Sequence, residues 1–226
     1  MQRVQKLLSN YGYCSRRKAE ELIEKGRVKV NDKVISLGDK ASEDDNIYVD
    51  NRSVRKERKV YIKFNKPLGC VTALRDKQYK TVMDYIRVKE RIFPIGRLDY
   101  NSTGLLLLTN DGDFANKIMH PSHEIKKTYL VEINRPINDN EIKQIEKGIV
   151  LKDGKTAPAK IRKQTNNLLE ITIHEGKNRI IRRIFDALDF KVSYLQRIRI
   201  GKLSLGTLEV KGYKYLTNKE REKIFQ

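Results

Sequence analysis

The feature that most constrains this sequence is a glycine-bounded segment, residues 96–104, which contains one carboxylate and runs directly into four leucines. Asp99 is the only acid in the segment, and Arg97 lies two residues before it. A short apolar run after a turn is typical of a buried strand, and glycine permits backbone conformations that other residues avoid. We therefore predict that Asp99 lies in a loop held rigid by a buried strand. A surface turn with a local Arg97–Asp99 ion pair fits the same residues.

The region that contains this segment, residues 60–226, alternates between strand-like and helix-like patterns. Alternating apolar residues predict strands, and apolar residues at helical spacing predict helices. The predicted strands lie at 60–64, 105–108, 128–133, 161–173 and 195–210, and the predicted helices at 81–86, 113–119, 139–147, 178–188 and 217–225. Because several strands are joined by tight turns, we predict an α+β domain with a mainly antiparallel sheet flanked by helices.

Residues 1–50 have the pattern of a small separate module. Apolar residues at helical spacing predict a helix over 4–11, and Ser15 is a good N-cap for a second helix over 16–25. Two alternating runs on either side of Asn31-Asp32 predict a hairpin. Residues 51–59 have almost no apolar content and are predicted to be a basic linker, so the second domain covers 60–226.

The charge of the chain narrows the class of partner. Lys and Arg number 48 against 29 Asp and Glu, which gives a net charge of +19. A field of this sign attracts phosphate polymers. No helical pattern combines a broad apolar face with a wholly basic one, as binding to a membrane surface would require. We therefore expect a nucleic-acid partner and no membrane.

A cluster of cations lies in the N-terminal module. It consists of Arg16, Arg17, Lys18, Lys25, Arg27 and Lys29. A solvated helix face is the alternative, but six cations within fourteen residues around a glycine favour phosphate binding.

Motifs for a metal or a cofactor are missing. Cys14 and Cys70 lie far apart, without metal or redox spacing. His120 and His123 have a spacing that suits a metal on a helix, but Pro121 breaks that helix and no third ligand is near. We expect no metal and no cofactor. Because the first residues lack an apolar signal core, we expect a cytoplasmic protein with reduced thiols.

The N-terminal module resembles a known RNA-binding domain. The runs Ser-Arg-Arg-Lys-Ala-Glu-Glu-Leu-Ile at 15–23 and Gly-Arg-Val-Lys-Val-Asn at 26–31 closely resemble the domain named after ribosomal protein S4. In that family two helices and a hairpin bind structured RNA through its shape and backbone. The resemblance implies that RNA is contacted by Arg16, Arg17, Lys18, Arg27 and Lys29.

The second domain resembles the ribosomal-RNA pseudouridine synthases. The most specific match is Gly-Arg-Leu-Asp-x-x-Ser/Thr-x-Gly-Leu-Leu, found at 96–106. Supporting matches are Asn-Lys-Pro-Leu-Gly at 65–69, Lys-Thr-Tyr at 127–129, and Glu-Gly-Lys-Asn-Arg at 175–179 with Arg-Arg at 182–183. The resemblance covers the whole chain and implies that it isomerises a specific uridine of ribosomal RNA.

The resemblance also implies roles for single residues. Asp99 is implied to be the nucleophile and Tyr129 the active-site tyrosine, although Tyr129 is also in phase with Val131 and could belong to the core. Arg182 is implied to form a salt bridge with the carboxylate of Asp99, with bidentate geometry. The family often has glutamine where this chain has Ile180, which leaves any contact of that glutamine in doubt.

The remaining cations of the second domain are assigned to RNA. By resemblance Arg97 helps to hold the target nucleotide out of its helix, a step that costs a few kcal/mol. The other expected RNA contacts are Lys177, Arg179 and Arg183.

Two functions fit the sequence. One is an enzyme that isomerises uridine in ribosomal RNA, either free or in an assembling subunit, and acts as a monomer. The other is a non-catalytic RNA-binding or ribosome-assembly protein. The set Asp99, Tyr129 and Arg182 discriminates between them, because a binding protein needs no carboxylate in a cationic cleft.

Overall fold

A computed structural model describes all 226 residues, which form two compact units. The first unit contains residues 1–61, 88–93 and 109–113, and the second contains residues 62–87, 94–108 and 114–226. No helix in the structure is both long and apolar enough to cross a membrane.

The first unit is built on two helices and a small sheet. Its helices are α1, Val4–Asn10, and α2, Arg16–Glu24, and its strands are β1, Gln2–Arg3, β2, Val28–Val30, β3, Lys33–Val34, β4, Lys40–Ala41, β5, Ile47–Val49, and β6, Arg52–Ser53. Ser15 caps α2, because its hydroxyl accepts a hydrogen bond from the amide of Lys18 at 3.1 Å. The apolar faces of both helices pack into one core, as their periodicity predicts.

The hairpin of this unit has the predicted turn. Asn31 and Asp32 both have positive φ, at 47° and 68°, which is the geometry of a tight two-residue turn between twisted strands. The sheet has the order β3-β2-β5-β6. The segment predicted to be a linker, 51–59, begins with strand β6, because Asp50 and Asn51 make a second such turn that pairs Ser53 with Tyr48.

The second unit contains a nine-stranded sheet. The remaining strands of the chain are β7, Tyr61–Lys66, β8, Phe93–Ile95, β9, Thr103–Thr109, β10, Lys127–Ile133, β11, Val150–Leu151, β12, Gly154–Lys155, β13, Lys160–Lys163, β14, Leu168–Ile173, β15, Val192–Ile200, β16, Leu203–Ser204, and β17, Tyr213–Tyr215. The order is β13-β14-β10-β15-β9-β7-β17, with β16 beside β15 and β8 beside β9. β11 and β12 form a separate two-stranded hairpin.

Most pairings in this sheet are antiparallel, and β9 with β15 is parallel. The predicted α+β class with a mainly antiparallel sheet is therefore confirmed. The register aligns three neighbouring strands, because Tyr129 on β10 pairs with Arg197 on β15, and Arg197 pairs with Gly104 on β9. This alignment places β10 and the end of the 96–104 segment around one strand, β15.

Four helices cover this part of the chain. They are α3, Gly112–Met119, α4, Asp139–Lys147, α5, Ile180–Asp186, and α6, Asn218–Glu222, with short 3₁₀ helices at Val82–Tyr85, Pro121–His123 and Lys223–Phe225. Helix α5 lies within the predicted range 178–188, but it is shorter at both ends. Arg179 has a φ of 48° and precedes the first helical residue, so its side chain does not follow the helical spacing.

Glu220 at the start of α6 gives the second unit an acid-sensitive contact. Burial alone would raise the pKa of Glu220. The amide of Thr217 and the ammonium groups of Lys63 at 3.1 Å and Lys214 at 3.4 Å outweigh burial and lower this pKa to about 2. Since the folded-state pKa is depressed, the stabilisation is present above pH 4.5 and is lost as the pH falls towards 2.

We therefore expect Glu220→Gln to lower the free energy of unfolding at pH 7 by roughly 2 to 3 kcal/mol. The variant should also lose less stability than the wild type between pH 4.5 and pH 2. Urea unfolding at several pH values measures both effects. Glu222→Gln is the matched control, because Glu222 is exposed on the same helix and forms no salt bridge. Equal acid sensitivity of Glu220→Gln and wild type would contradict the assignment.

Candidate active site

The 96–102 segment forms the loop that leads into β9, and hydrogen bonds hold its backbone on both sides of Asp99. The hydroxyl of Thr72 donates a hydrogen bond to the carbonyl oxygen of Leu98 at 2.7 Å and accepts one from the amide of Leu98 at 3.2 Å. The amide of Gly69 donates to the carbonyl oxygen of Tyr100 at 3.1 Å. The leucines of β9 that follow are at most 1% exposed. The predicted loop before a buried strand is thus present.

A buried lysine, Lys66, forms hydrogen bonds to the backbone of this loop. The ammonium group of Lys66, at the end of β7, donates to the carbonyl oxygens of Asp99 at 3.0 Å, Ser102 at 2.8 Å and Pro67 at 3.1 Å. Lys66 is fully buried, and burial lowers its pKa. Because three carbonyl oxygens use all three donors of the ammonium group, Lys66 fixes the backbone around Asp99.

The carboxylate of Asp99 is left without a protein partner. It forms no hydrogen bond and no salt bridge, and the local ion pair with Arg97 considered above is absent. Asp99 and Tyr129 both line a cavity of about 410 Å³ in the second unit. Apolar side chains, among them Leu98, Ile181 and Leu195, make up part of its wall. The structure therefore brings a free carboxylate and a tyrosine to one partly apolar cavity.

The same cavity is rich in cations. Those that line it are Arg97, Lys127, Lys177, Arg179 and Arg197. Three of them, Arg97, Lys177 and Arg179, are among the predicted RNA contacts. Glu175 also lines the cavity, but its carboxylate is occupied by the ammonium of Lys177 at 3.2 Å and the amide of Ala157 at 2.9 Å.

Arg182 does not form the expected salt bridge with Asp99. Its guanidinium donates to the carbonyl oxygens of Asn101 at 2.7 Å and Val192 at 2.9 Å. Burial is the main factor that lowers the pKa of Arg182, and the charge of Asp99 opposes that shift, which indicates that the two groups interact at longer range. Arg182 therefore holds the backbone two residues after Asp99 and does not contact the carboxylate directly.

Sequence and structure comparisons show which family the chain belongs to. The family model for RNA pseudouridylate synthases matches residues 60–187, and the S4 domain model matches residues 2–47. The chain belongs to the RNA pseudouridylate synthase family. This pseudouridine synthase thus has an N-terminal S4 domain followed by a synthase domain, as its sequence predicts.

Its relatives span nearly the whole chain. The ribosomal large subunit pseudouridine synthase B of Bacillus subtilis is 44% identical, over 99% of this chain and 96% of the relative. The dual-specificity RNA pseudouridine synthase RluF of Salmonella typhi is 35% identical, over 99% of this chain and 78% of the relative. A crystal structure of a pseudouridylate synthase superimposes with a TM-score of 0.74 at 32% identity, over 99% of this chain and all of that one.

The other predicted RNA contacts of the synthase differ in whether their charged groups already have a partner within the protein. In the S4 domain Arg16 and Arg17 are exposed and form no salt bridge. Lys18 pairs with Glu21 at 2.7 Å, Arg27 pairs with Asp50, and Lys29 donates to Asn51 at 3.0 Å. In the synthase domain Arg183 forms a salt bridge with Asp153, and neither residue lines the cavity.

Three cations that line the cavity or hold the Asp99 loop received no role from the sequence. They are Lys66, Lys127 and Arg197. Lys66 ends a strand whose other residues are mostly buried, and a lysine in such a strand is a signal for an internal contact. The other two differ little from ordinary strand residues in sequence, so only the structure identifies them.

The contacts of Arg182 predict a positioning role that can be tested. We expect Arg182→Gln to lower the rate of uridine isomerisation by roughly 100-fold, because the loop that carries Asp99 loses a backbone anchor and small displacements of reacting groups are costly. Arg182→Lys should restore part of the rate, since an ammonium group can reach one of the two carbonyl oxygens. Single-turnover kinetics, with RNA affinity measured separately, checks this.

Arg183→Gln is the matched control for Arg182, because Arg183 is the next residue on α5 and pairs with Asp153. Because Arg183 is an expected RNA contact, its single-turnover rate at saturating RNA should stay close to that of the wild type while its affinity for RNA falls. A loss of RNA affinity in Arg182→Gln as large as its loss of rate would contradict the positioning role.

Proposed function

We propose that this synthase converts a uridine of ribosomal RNA to pseudouridine, with Asp99 as the nucleophile. The observation that carries the proposal is the unpartnered carboxylate of Asp99 in a cavity whose other free charges are positive. A carboxylate in such a setting is normally paired. An unpaired one, on a loop fixed by Lys66 and Thr72, is available to a substrate.

The chemistry needs such a group. Pseudouridine formation breaks the bond between C1′ of the ribose and N1 of uracil, turns the base, and joins C1′ to C5, which loses its proton. A carboxylate that forms a covalent bond with one fragment divides this change into easier steps. The partly apolar cavity favours retention of the detached base, so that the second bond forms before the base escapes.

Tyr129 and Arg97 complete the proposed site. Tyr129 lines the cavity and is the strand partner of Arg197, which supports the proposal that its ring stacks on the face of the uracil. Arg97 is exposed at the cavity and has no salt bridge, so its guanidinium is free for a phosphate of the extruded nucleotide. Arg182 supports the loop, while Lys177, Arg179 and Arg183 with the basic face of the S4 domain bind the RNA backbone.

The expected substrate and setting follow from the relatives and the charge. The Bacillus subtilis relative is named for the large ribosomal subunit, and this chain carries a net charge of +19. We propose that ribosomal RNA, free or in an assembling subunit, is the substrate, and that the protein acts in the cytoplasm as a monomer.

The experiment that tests the function is a map of pseudouridines in ribosomal RNA from cells with and without this protein. We expect at least one position to remain uridine in the cells that lack it. Purified protein should then convert that position in RNA from those cells. Identical maps, together with no conversion of ribosomal RNA in vitro, would refute the proposal.

A further inference from the structure

Two cations on neighbouring strands have donor groups that nothing in the protein uses. Arg197 on β15 is only 5% exposed, and its Nε donates to the carbonyl oxygen of Leu105 at 2.7 Å. Its Nη2 is buried and has no hydrogen-bond partner. Leaving a charged donor buried without an acceptor costs free energy. Arg197 also lines the cavity, so its guanidinium lies at the boundary of the space that a ligand would fill.

Lys127 on β10 is the second of these cations. It lines the same cavity, is partly buried, and forms no salt bridge or side-chain hydrogen bond. Burial and the neighbouring guanidinium of Arg197 lower the pKa of Lys127 to about 8. Two cations therefore line the same cavity, and neither of them forms a salt bridge.

The strand register places these donors beside the proposed base-stacking residue. Lys127 and Tyr129 are two residues apart on β10 and so face the same side. Arg197 is the partner of Tyr129 on β15. A base stacked on Tyr129 would have its edge close to both donors. Uracil offers two carbonyl oxygens at its edge, and both are hydrogen-bond acceptors.

We propose that Lys127 and Arg197 form the uracil-binding end of the cavity, donating to carbonyl oxygens of the extruded base. This inference rests on the proposed function of Asp99. When the C1′–N1 bond breaks, its electron pair stays on the base, where N1 and the two carbonyl oxygens share the negative charge. Donors fixed at those oxygens stabilise that charge as it develops. The Asp99 carboxylate that replaces N1 at C1′ leaves again with its electron pair when C5 bonds to C1′. The base is then neutral, and the proton that C5 loses is balanced by a proton gained at N1.

The proposal predicts a specific pH dependence. The charged groups that face Lys127 are Arg197 on β15, Asp99 and Arg97 on the loop before β9, and Glu175, Lys177 and Arg179 on the segment before α5. Lys127 can donate a charge-assisted hydrogen bond only while its amino group is protonated. The rate of the wild type should therefore fall as the pH rises through about 8.

The test uses ribosomal RNA transcripts that carry tritium at C5 of uridine, because isomerisation releases that tritium. Under single-turnover conditions at pH 7 we expect Lys127→Met to react roughly 100-fold more slowly than the wild type, as for loss of one donor to a developing anion. Its affinity for the transcript should change less than threefold. Lys127→Arg should retain more activity and should lose the decline near pH 8, since arginine stays protonated.

Lys126→Met is the matched control, because Lys126 is the preceding residue, is exposed, and does not line this cavity. Its rate and pH profile should equal those of the wild type. Thermal unfolding of each variant shows whether it is folded. If Lys127→Met does not fold, the comparison of Lys127→Arg with the wild type tests the inference instead.

Two outcomes would overturn the inference while the proposed function stands. One is a Lys127→Met variant as active as the wild type. The other is an unchanged decline above pH 8 in Lys127→Arg. Absence of tritium release by the wild type itself would instead refute the proposed function.

Discussion

Asp99→Asn is expected to abolish pseudouridine formation while the protein stays folded and binds RNA as well as the wild type. The amide has nearly the size of the carboxylate but is not a nucleophile, so the covalent step is lost. We expect a decrease in rate of roughly 10⁴-fold or more. The side chain of Asp99 forms no hydrogen bond or salt bridge within the protein, so its replacement breaks no contact of the fold.

The effect on RNA binding separates this prediction from a structural effect. Removing a negative charge from a cationic cavity should leave RNA affinity the same or slightly higher. Tritium release and RNA affinity, measured on the same protein sample, check both points. Asp139→Asn is a suitable control, since Asp139 is exposed at the start of α4 and does not line the cavity. Residual isomerisation by Asp99→Asn at more than 1 part in roughly 10² of the wild-type rate would exclude a nucleophilic Asp99.

Gly104→Ala is expected to destabilise the synthase domain severely. Gly104 has a φ of +101°, and a Cβ atom there would lie 2.3 Å from the carbonyl oxygen and 2.8 Å from the amide nitrogen of Arg197. Both atoms belong to the backbone of β15, which pairs with β9 at this position. A backbone cannot move aside as a flexible side chain can. Backbone strain and overpacking together should cost roughly 3 to 5 kcal/mol.

A decrease of this size corresponds to a fall in Tm of roughly 10 °C for a domain of this length. Thermal unfolding followed by circular dichroism measures it. Two further glycines separate the causes. Gly96 also has positive φ, at +69°, but a Cβ there would meet no atom within 4 Å, so Gly96→Ala shows the cost of strain alone. Gly176 has neither feature, and Gly176→Ala should leave Tm nearly unchanged. A Tm of Gly104→Ala equal to that of Gly176→Ala would contradict the steric argument.

The local elements of this protein were predictable from sequence because their causes are local. Ser15 caps α2, Asn31 and Asp32 turn the hairpin, and the leucines at 105–108 form a buried strand. Helix α4 has the predicted bounds, since Asn138 and Glu141 form a reciprocal cap at its start. Each of these results depends on residues within about one turn of one another.

The sequence by itself determined the two domains, the sheet class and the loop that carries Asp99, because turn residues, caps and apolar periodicity act over short stretches of chain. Only the tertiary structure decided which acceptors Arg182 and Lys66 bind, that Arg179 precedes α5, and that Lys127 and Arg197 share a cavity with Tyr129. These contacts join residues far apart in the chain, some of them on strands brought together by the sheet order β10-β15-β9. No local pattern encodes that order, since it depends on how all the strands pack at once.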